Sequence, residues 1–217
     1  MVKTLINSLF FIAILSFSSL EAHIPSLLLP IEGPPISSFF VNNSDISRTI
    51  FSELTNKEDF FVVTMFVKPR MKMLVQVLTP KCENIPRYEK YQPSALIIRG
   101  ELPWKKQGET NKLYISRIKK LAIRKIETNF ADGNRPQFYE EFAQMTYWVG
   151  GSWRGRLHPG LYSIVIYDKS GDIGNFNLSL NEKEKWTPDL YNYVSKILPI
   201  IKAGFCNPKG FSGNLTL

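Results

Sequence analysis

The chain has 217 residues, of which 44% are hydrophobic and 13% aromatic, with 27 Lys and Arg against 19 Asp and Glu, a net charge of +8. That apolar content excludes a disordered chain, and the length suits one sizeable domain with a proper core. The basic excess bears on association with acidic surfaces and says nothing about fold.

Lys3 precedes an apolar run, "LFFIAILSF" (9–17), which is followed by small residues and Ala22. This is the pattern of a secretory signal over residues 1–22, and the run is about half the ~20 apolar residues that a membrane span needs. Cleavage after Ala22 makes His23 the first residue of a mature chain that keeps the charge of +8, since Lys3 and Glu21 leave together. The later "LPIIKAGF" is broken by Pro199 and Lys202, and the ending "SGNLTL" is polar, so neither a span in the mature chain nor a lipid-anchor tail is expected. The protein is expected to be secreted or lumenal.

Residues 23–46, rich in proline and serine, read as an extended lead-in. Strand signals then follow in order. "RTIFSEL" (48–54) ends at the turn "TNKED". "FFVVTMFV" (60–67) is apolar almost throughout, as a strand buried on both faces would be. "MLVQVLT" (73–79) places Met73, Val75 and Val77 on one face, and "PSALIIRG" (93–100) is another strand. "NKLYISRIKKLAIRKIE" (111–127) carries apolar residues at helical spacing together with β-branched residues, so both readings stay open, with irregular or strand structure preferred. "FYEEFAQMTYWV" (138–149) reads as one bulged strand and "GGSWRGRLHPG" as a turn. "LYSIVIY" (161–167), a hairpin loop "DKSGDIGN" and "FNLSL" (176–180) complete the β pattern. "KWTPDLYNYVSKILPIIKA" (185–203) is a helix capped by Thr187, with Pro188 at its first position and a Leu190, Val194, Ile197, Leu198 stripe.

Seven or eight strands and one terminal helix predict a mainly β fold, an antiparallel β-sandwich or jelly roll over 47–184 with a helix and tail over 185–217. Cys82 and Cys206 form an even count in an oxidising compartment, which predicts an internal bridge from an early strand to the C-terminal tail. Asn42, Asn177 and Asn214 head N-glycosylation triplets. With Phe176, Leu178 and Leu180 facing a core, Asn177 is expected to face solvent.

Residues 138–184, "FYEEFAQMTYWVGGSWRGRLHPGLYSIVIYDKSGDIGNFNLSLNEKE", resemble the C-terminal half of an uncharacterised family of exported β-sandwich proteins. In that family an aromatic "YEPF" strand precedes a "PGxYxIVVYxxxGxxGxFxLxxGxxE" hairpin, and "AHIP" at the expected cleavage site is similar to its start. The hairpin is more distantly similar to bacterial pre-peptidase C-terminal domains, small jelly rolls without catalytic residues. The resemblance covers about a quarter of the chain. It implies that Pro159 and Gly160 start a strand, that Gly171 and Gly174 permit the hairpin, and that Phe176 and Leu178 fill a core. Asn181 stands where the family has glycine. The implication is fold and compartment, not an activity.

No nucleophile elbow, P-loop, dinucleotide fingerprint or zinc-helix motif occurs. Glu140 and Glu141 fall on opposite faces of a strand, so they do not make a glycosidase pair. Asp168, Ser170 and Asp172 alternate as in a calcium loop, but Ile173 and Ser179 occupy positions that need glycine and glutamate, leaving a plain turn. Arg117, Lys119, Lys120, Arg124 and Lys125, interleaved with apolar residues, are candidates for an acidic polymer or membrane surface. Trp104, Trp148, Trp153 and Trp186 are potential sugar platforms, with Trp153 preferred for its place in the glycine-rich turn. The sequence therefore reads as a non-catalytic glycoprotein module for an acidic or carbohydrate surface, with no cofactor and no nucleic-acid partner. The competing reading is a copper-dependent oxidative enzyme, in which the terminal amine and imidazole of His23 join His158 in a metal brace.

Overall fold

The computed structural model describes residues 23–28, 38–41, 46–131, 134–141, 143–183, 185 and 187–211. The expected signal peptide, Asn42, Asn214 and Trp186 lie outside these residues. In chain order the elements are β1 (Ile24–Leu27), β2 (Ser38–Val41), β3 (Arg48–Leu54), β4 (Phe60–Val67), β5 (Met71–Pro80), α1 (Arg87–Lys90), β6 (Ser94–Arg99), α2 (Asn111–Ile118), β7 (Ala122–Ile126), β8 (Gln137–Glu140), β9 (Met145–Leu157), β10 (Gly160–Tyr167), β11 (Gly174–Leu180) and α3 (Pro188–Phe205).

Two sheets result, one in the order β1-β3-β11-β5-β9-β8 and one in the order β2-β4-β10-β6-β7. The pairings are antiparallel except at β1–β3 and β2–β4. The fold is mainly β, a sandwich with a C-terminal helix. Alternation fills its centre: Val63, Met65, Met73, Val75, Ile164, Ile166, Phe176 and Leu178 are buried in one core. There Phe61 meets Phe176 edge-on at 5.6 Å across the sheets. Each such side chain contributes about 1.5–3 kcal/mol on burial.

β4 is apolar on both sides because it has two covers. Phe60 and Val62 point away from the sandwich core into a second cluster with Leu96, Val165 and Tyr167, roofed by Tyr114, Ile115 and Ile118 of α2. This corrects the preference for irregular or strand structure over residues 111–118, whereas Ala122–Ile126 is a strand as preferred. Thr110 caps the helix, its hydroxyl accepting from the Leu113 amide at 3.3 Å, and residues 114, 115 and 118 form the seated stripe. The β-branched residues that suggested a strand divide between the two elements, Ile115 and Ile118 in α2 and Ile123 and Ile126 in β7.

Three other expectations change. The 23–46 segment supplies β1 and β2, parallel edge strands to both sheets, rather than a lead-in alone. Residues 138–157 form a β8–β9 hairpin, turning at Gln144 (φ 53°), and "GGSWRGRL" continues β9 instead of turning. The bulge lies at the glycines, where Ser152 pairs Gln76 and Val149 pairs Leu78. A Cβ at Gly150 would strike the Val77 carbonyl. "DKSGDIGN" is not a hairpin loop, since β10 and β11 belong to different sheets and the loop arches between them. At Asn181 the missing glycine is met by asparagine at φ 60°, a left-handed conformation that asparagine tolerates better than most residues.

α3 begins as expected, with Thr187 accepting from the Leu190 amide and Pro188 in the first turn. It covers the outer face of the six-stranded sheet with Ile197, Ile201 and Phe205, the last edge-on to Tyr147 at 5.1 Å. Beyond it the chain is fastened. Cys206 is bridged to Cys82 with Cα atoms 5.6 Å apart, and the Phe211 amide donates to the buried Glu53 carboxylate at 3.0 Å.

Candidate functional site

Residues 105–126 contain eight Lys and Arg and one Glu, so this stretch supplies most of the net charge. The fold lays it out as α2, over the outer face of the five-stranded sheet, and as β7, the edge strand of that sheet. The five candidate cations do not share one environment. Arg117 is engaged: its Nε and Nη2 donate to both Glu109 oxygens at 2.8 and 2.7 Å, and Nη2 also donates to the Trp104 carbonyl at 3.0 Å. The guanidinium holds the Glu109 carboxyl down at about 2. Arg117 therefore pins the 104–109 loop to α2 and leaves the set of ligand-facing charges.

Lys119 places its ammonium 4.4 Å over the Tyr167 ring. Burial lowers its pKa, and the neighbouring Lys169 and Lys125 lower it further, with Glu127 opposing. Lys120 and Lys125 are exposed. Lys125 lies opposite Leu96 on the α2 side of the sheet, whereas Arg124 lies opposite Ile97 on the sandwich side. A cleft of about 430 Å³ opens beside Lys119, with Lys57, Lys112, Lys169, Tyr167 and Ser170 among its lining residues. Two acids of this cleft are occupied locally. Asp59 accepts from the Thr55 and Asn56 amides, and Asp168 from those of Ser170 and Asp172. This second pattern is the Asx turn that the alternating "DKSGD" encodes.

Trp153 is not in a turn. It lies within β9, paired with Val75, with its ring over Gly155 and the Arg124 guanidinium 6.0 Å from its centre. The partly buried ring packs against the sandwich core. Among the described residues Trp104 is the exposed indole, with 90% of its surface accessible. Asn177 is also misplaced by the alternation argument. It does lie opposite the Phe176–Leu178 face, but α3 covers that outer face and leaves Asn177 only 2% exposed and hydrogen-bonded to Tyr147.

His23 and His158 are held apart. His23 precedes β1 at one sheet edge, its Nδ1 hydrogen-bonded to the Ser47 hydroxyl. Burial lowers its pKa, with Glu182 acting in the opposite sense. His158 follows β9, across three intervening strands, β3, β11 and β5. At about 4.8 Å per strand the lateral offset alone is roughly 19 Å, so the two imidazoles do not meet at one metal. Among the described residues no three His, Cys, Asp or Glu side chains gather as a metal cluster. Sequence reading missed Lys57, Lys112 and Lys169 as partners of Lys119. Lys112 was within reach of a charge count, but Lys57 and Lys169 come from loops that only the sandwich brings together.

No protein-family model matches the chain, and no curated protein matches it. Solved structures do. The chain is structurally similar to the pre-peptidase C-terminal domain of collagenase from Bacillus anthracis, at 11% identity and a TM-score of 0.41, covering 69% of this chain and 99% of that domain. It is also similar to Aeromonas hydrophila PliG, a periplasmic inhibitor of g-type lysozyme (15% identity, TM-score 0.37, 67% and 96% coverage). A third likeness is to CorA, a surface-associated copper-binding protein of Methylomicrobium album BG8 (9% identity, TM-score 0.31, 68% and 98% coverage). The Cys82–Cys206 disulfide is the chemistry of an oxidising, extracytoplasmic compartment.

Proposed function

We propose that this protein is an exported, non-catalytic β-sandwich module that binds an acidic surface through the α2–β7 layer. The observation that carries this reading is the concentration of eight cations against one acid in residues 105–126, the segment that forms α2, its preceding loop and the edge strand β7. At the side-chain level Lys119 is flanked by Lys125 and by Lys169, the latter paired with Glu127 at 2.9 Å; burial first and these like charges second lower its pKa, with Glu127 opposing. A polyanion relieves that repulsion, so binding and the local electrostatics act together. Arg117 belongs to the scaffold of this surface, holding its loop through Glu109, and Lys112, Lys119, Lys120 and Lys125 supply the contacts.

Heparin chromatography in a salt gradient tests this. The Lys119→Gln/Lys120→Gln/Lys125→Gln variant is expected to bind about tenfold more weakly and to elute at lower salt, because exposed charges act within a Debye length of about 8 Å. The same number of Gln substitutions at Lys68, Lys72 and Lys183, outside the layer, is expected to shift elution less. Equal shifts from both sets would reduce the effect to net charge and overturn the assignment.

A further inference from the structure

We infer that Trp104 and the cleft beside it form a sugar-ring subsite adjoining the basic layer, so that the polyanion bound is an acidic polysaccharide. This rests on the reading above and names the ligand class. Trp104 is 90% exposed, the most open of the large apolar side chains among the described residues. An indole in that position loses contact with the hydrophobic effect that normally buries it, and single exposed apolar residues need no explanation on their own. Its mounting is what distinguishes it. The Trp104 carbonyl accepts from Arg117 Nη2 at 3.0 Å, and the preceding Pro103 carbonyl accepts from the Tyr114 hydroxyl at 2.9 Å. Two side chains of α2 thus fasten the backbone on both sides of the indole, and Arg117 is itself locked to Glu109. The ring is presented on a rigid mount, which reduces the ordering cost of stacking against it.

The surroundings fit a pyranose better than a lipid chain or a flat apolar partner. The adjoining cleft, about 200 Å³, is lined by Glu101, Thr64 and Ser163 as well as Val62, Pro103 and Tyr114. Ser163 is buried and committed to the Gly100 carbonyl at 2.9 Å, so the acceptors offered to a ligand are the half-buried Thr64 and Glu101, which is exposed at the rim. Sugars offer an apolar ring face to an indole and hydroxyl groups to such acceptors, a combination an acyl chain lacks. On the other side of Trp104 the chain runs directly into Lys105 and Lys106, and then Lys112 in α2. A linear polymer lying from the cleft across α2 would place one ring on Trp104 and successive acidic groups on the lysines. On the same outer face Phe40, 50% exposed, lies opposite Thr64 of the cleft.

The test is a titration of the full-length secreted protein with oligogalacturonate and with a heparin-derived oligosaccharide of matched length, read by tryptophan fluorescence and by affinity electrophoresis. Binding of at least one is expected to shift the emission, and Trp104→Ala is expected to weaken it about tenfold while Trp104→Tyr retains most of it. The open position of Trp104 makes these variants tolerable to the fold, and a far-UV circular dichroism spectrum checks that. Trp104→Ala binding both oligosaccharides like wild type, while the triple lysine variant loses them, would overturn the subsite and leave the basic layer standing. Loss of neither would overturn both readings. Stronger binding to phosphatidylserine vesicles than to either oligosaccharide, unaffected by Trp104→Ala, would assign the surface to lipid and overturn the sugar subsite.

Discussion

His23 shows how a residue chosen for one chemistry is used for another. Its imidazole is drawn into the edge of the sandwich by β1, with the Ile24 amide donating to the Ser47 carbonyl and the ring bonded to the Ser47 hydroxyl. Burial lowers its pKa from 6.5, against the influence of Glu182. The unfolded chain therefore takes up a proton that the folded chain resists. Stability from the neutral ring is complete above pH 6.5 and is lost as the pH falls toward and through the lower folded value. Urea midpoints measured from pH 7.5 down to pH 5 should fall for the wild type and fall less steeply for His23→Gln. Parallel slopes would show that other groups carry the dependence. Asn177 is the companion case: the period-2 pattern placed it correctly opposite Leu178, yet that face belongs to α3 and not to water.

At the scale of elements, sequence signals succeeded where one face or one cap decides. β3, β4, β5, β6 and β10 appear within a few residues of their expected bounds, and α3 begins at its Thr-Pro cap. They failed where pairing decides. The 138–157 segment has no clean apolar face because β9 contributes to the sandwich centre while also pairing with both β5 and β8. The connection from β7 to β8 depends on Arg135, a buried cation whose hydrogen-bond partners among the described residues are all backbone carbonyls. Its Nε donates to the Val149 carbonyl at 2.9 Å, and Nη1 donates to the Tyr91 and Tyr88 carbonyls at 2.7 and 3.0 Å. Burial brings its pKa down to about 10, so it remains charged at neutral pH. Arg135 thereby ties α1 to β9, and no local pattern in "DGNRPQ" announces this. Arg135→Met should cost about 3 kcal/mol in chemical unfolding, since several buried carbonyls lose their donor. Arg135→Lys, with fewer donors in a different geometry, should recover only part of it. A cost below about 1 kcal/mol in Arg135→Met, the level of an ordinary surface change, would show that the carbonyls find water instead.

For the whole molecule, the Cys82–Cys206 bridge closes a loop of 124 residues between the end of β5 and the end of α3. In the chain-entropy model it stabilises the fold by about 4–5 kcal/mol. The Cys82→Ser/Cys206→Ser variant should lose an amount of that order in urea unfolding, with α3 the first element to gain hydrogen exchange, because the bridge anchors its C-terminal end. Uniform exchange across the molecule would mean that α3 and the sandwich unfold as one unit. Composition, periodicity and cap residues by themselves determined that this chain is a β-sandwich with a terminal helix, and two cysteines determined its crosslink. These are decided by forces that act along the chain or by a choice with one internal partner. Which faces are covered, which lysines become neighbours and which tryptophan stays open were decided only by the tertiary structure. Exposure is a property of what packs on top: α3 closes over Asn177 and the sandwich rim takes in Trp153. Trp104 projects from a loop that Arg117 and Tyr114 hold in place.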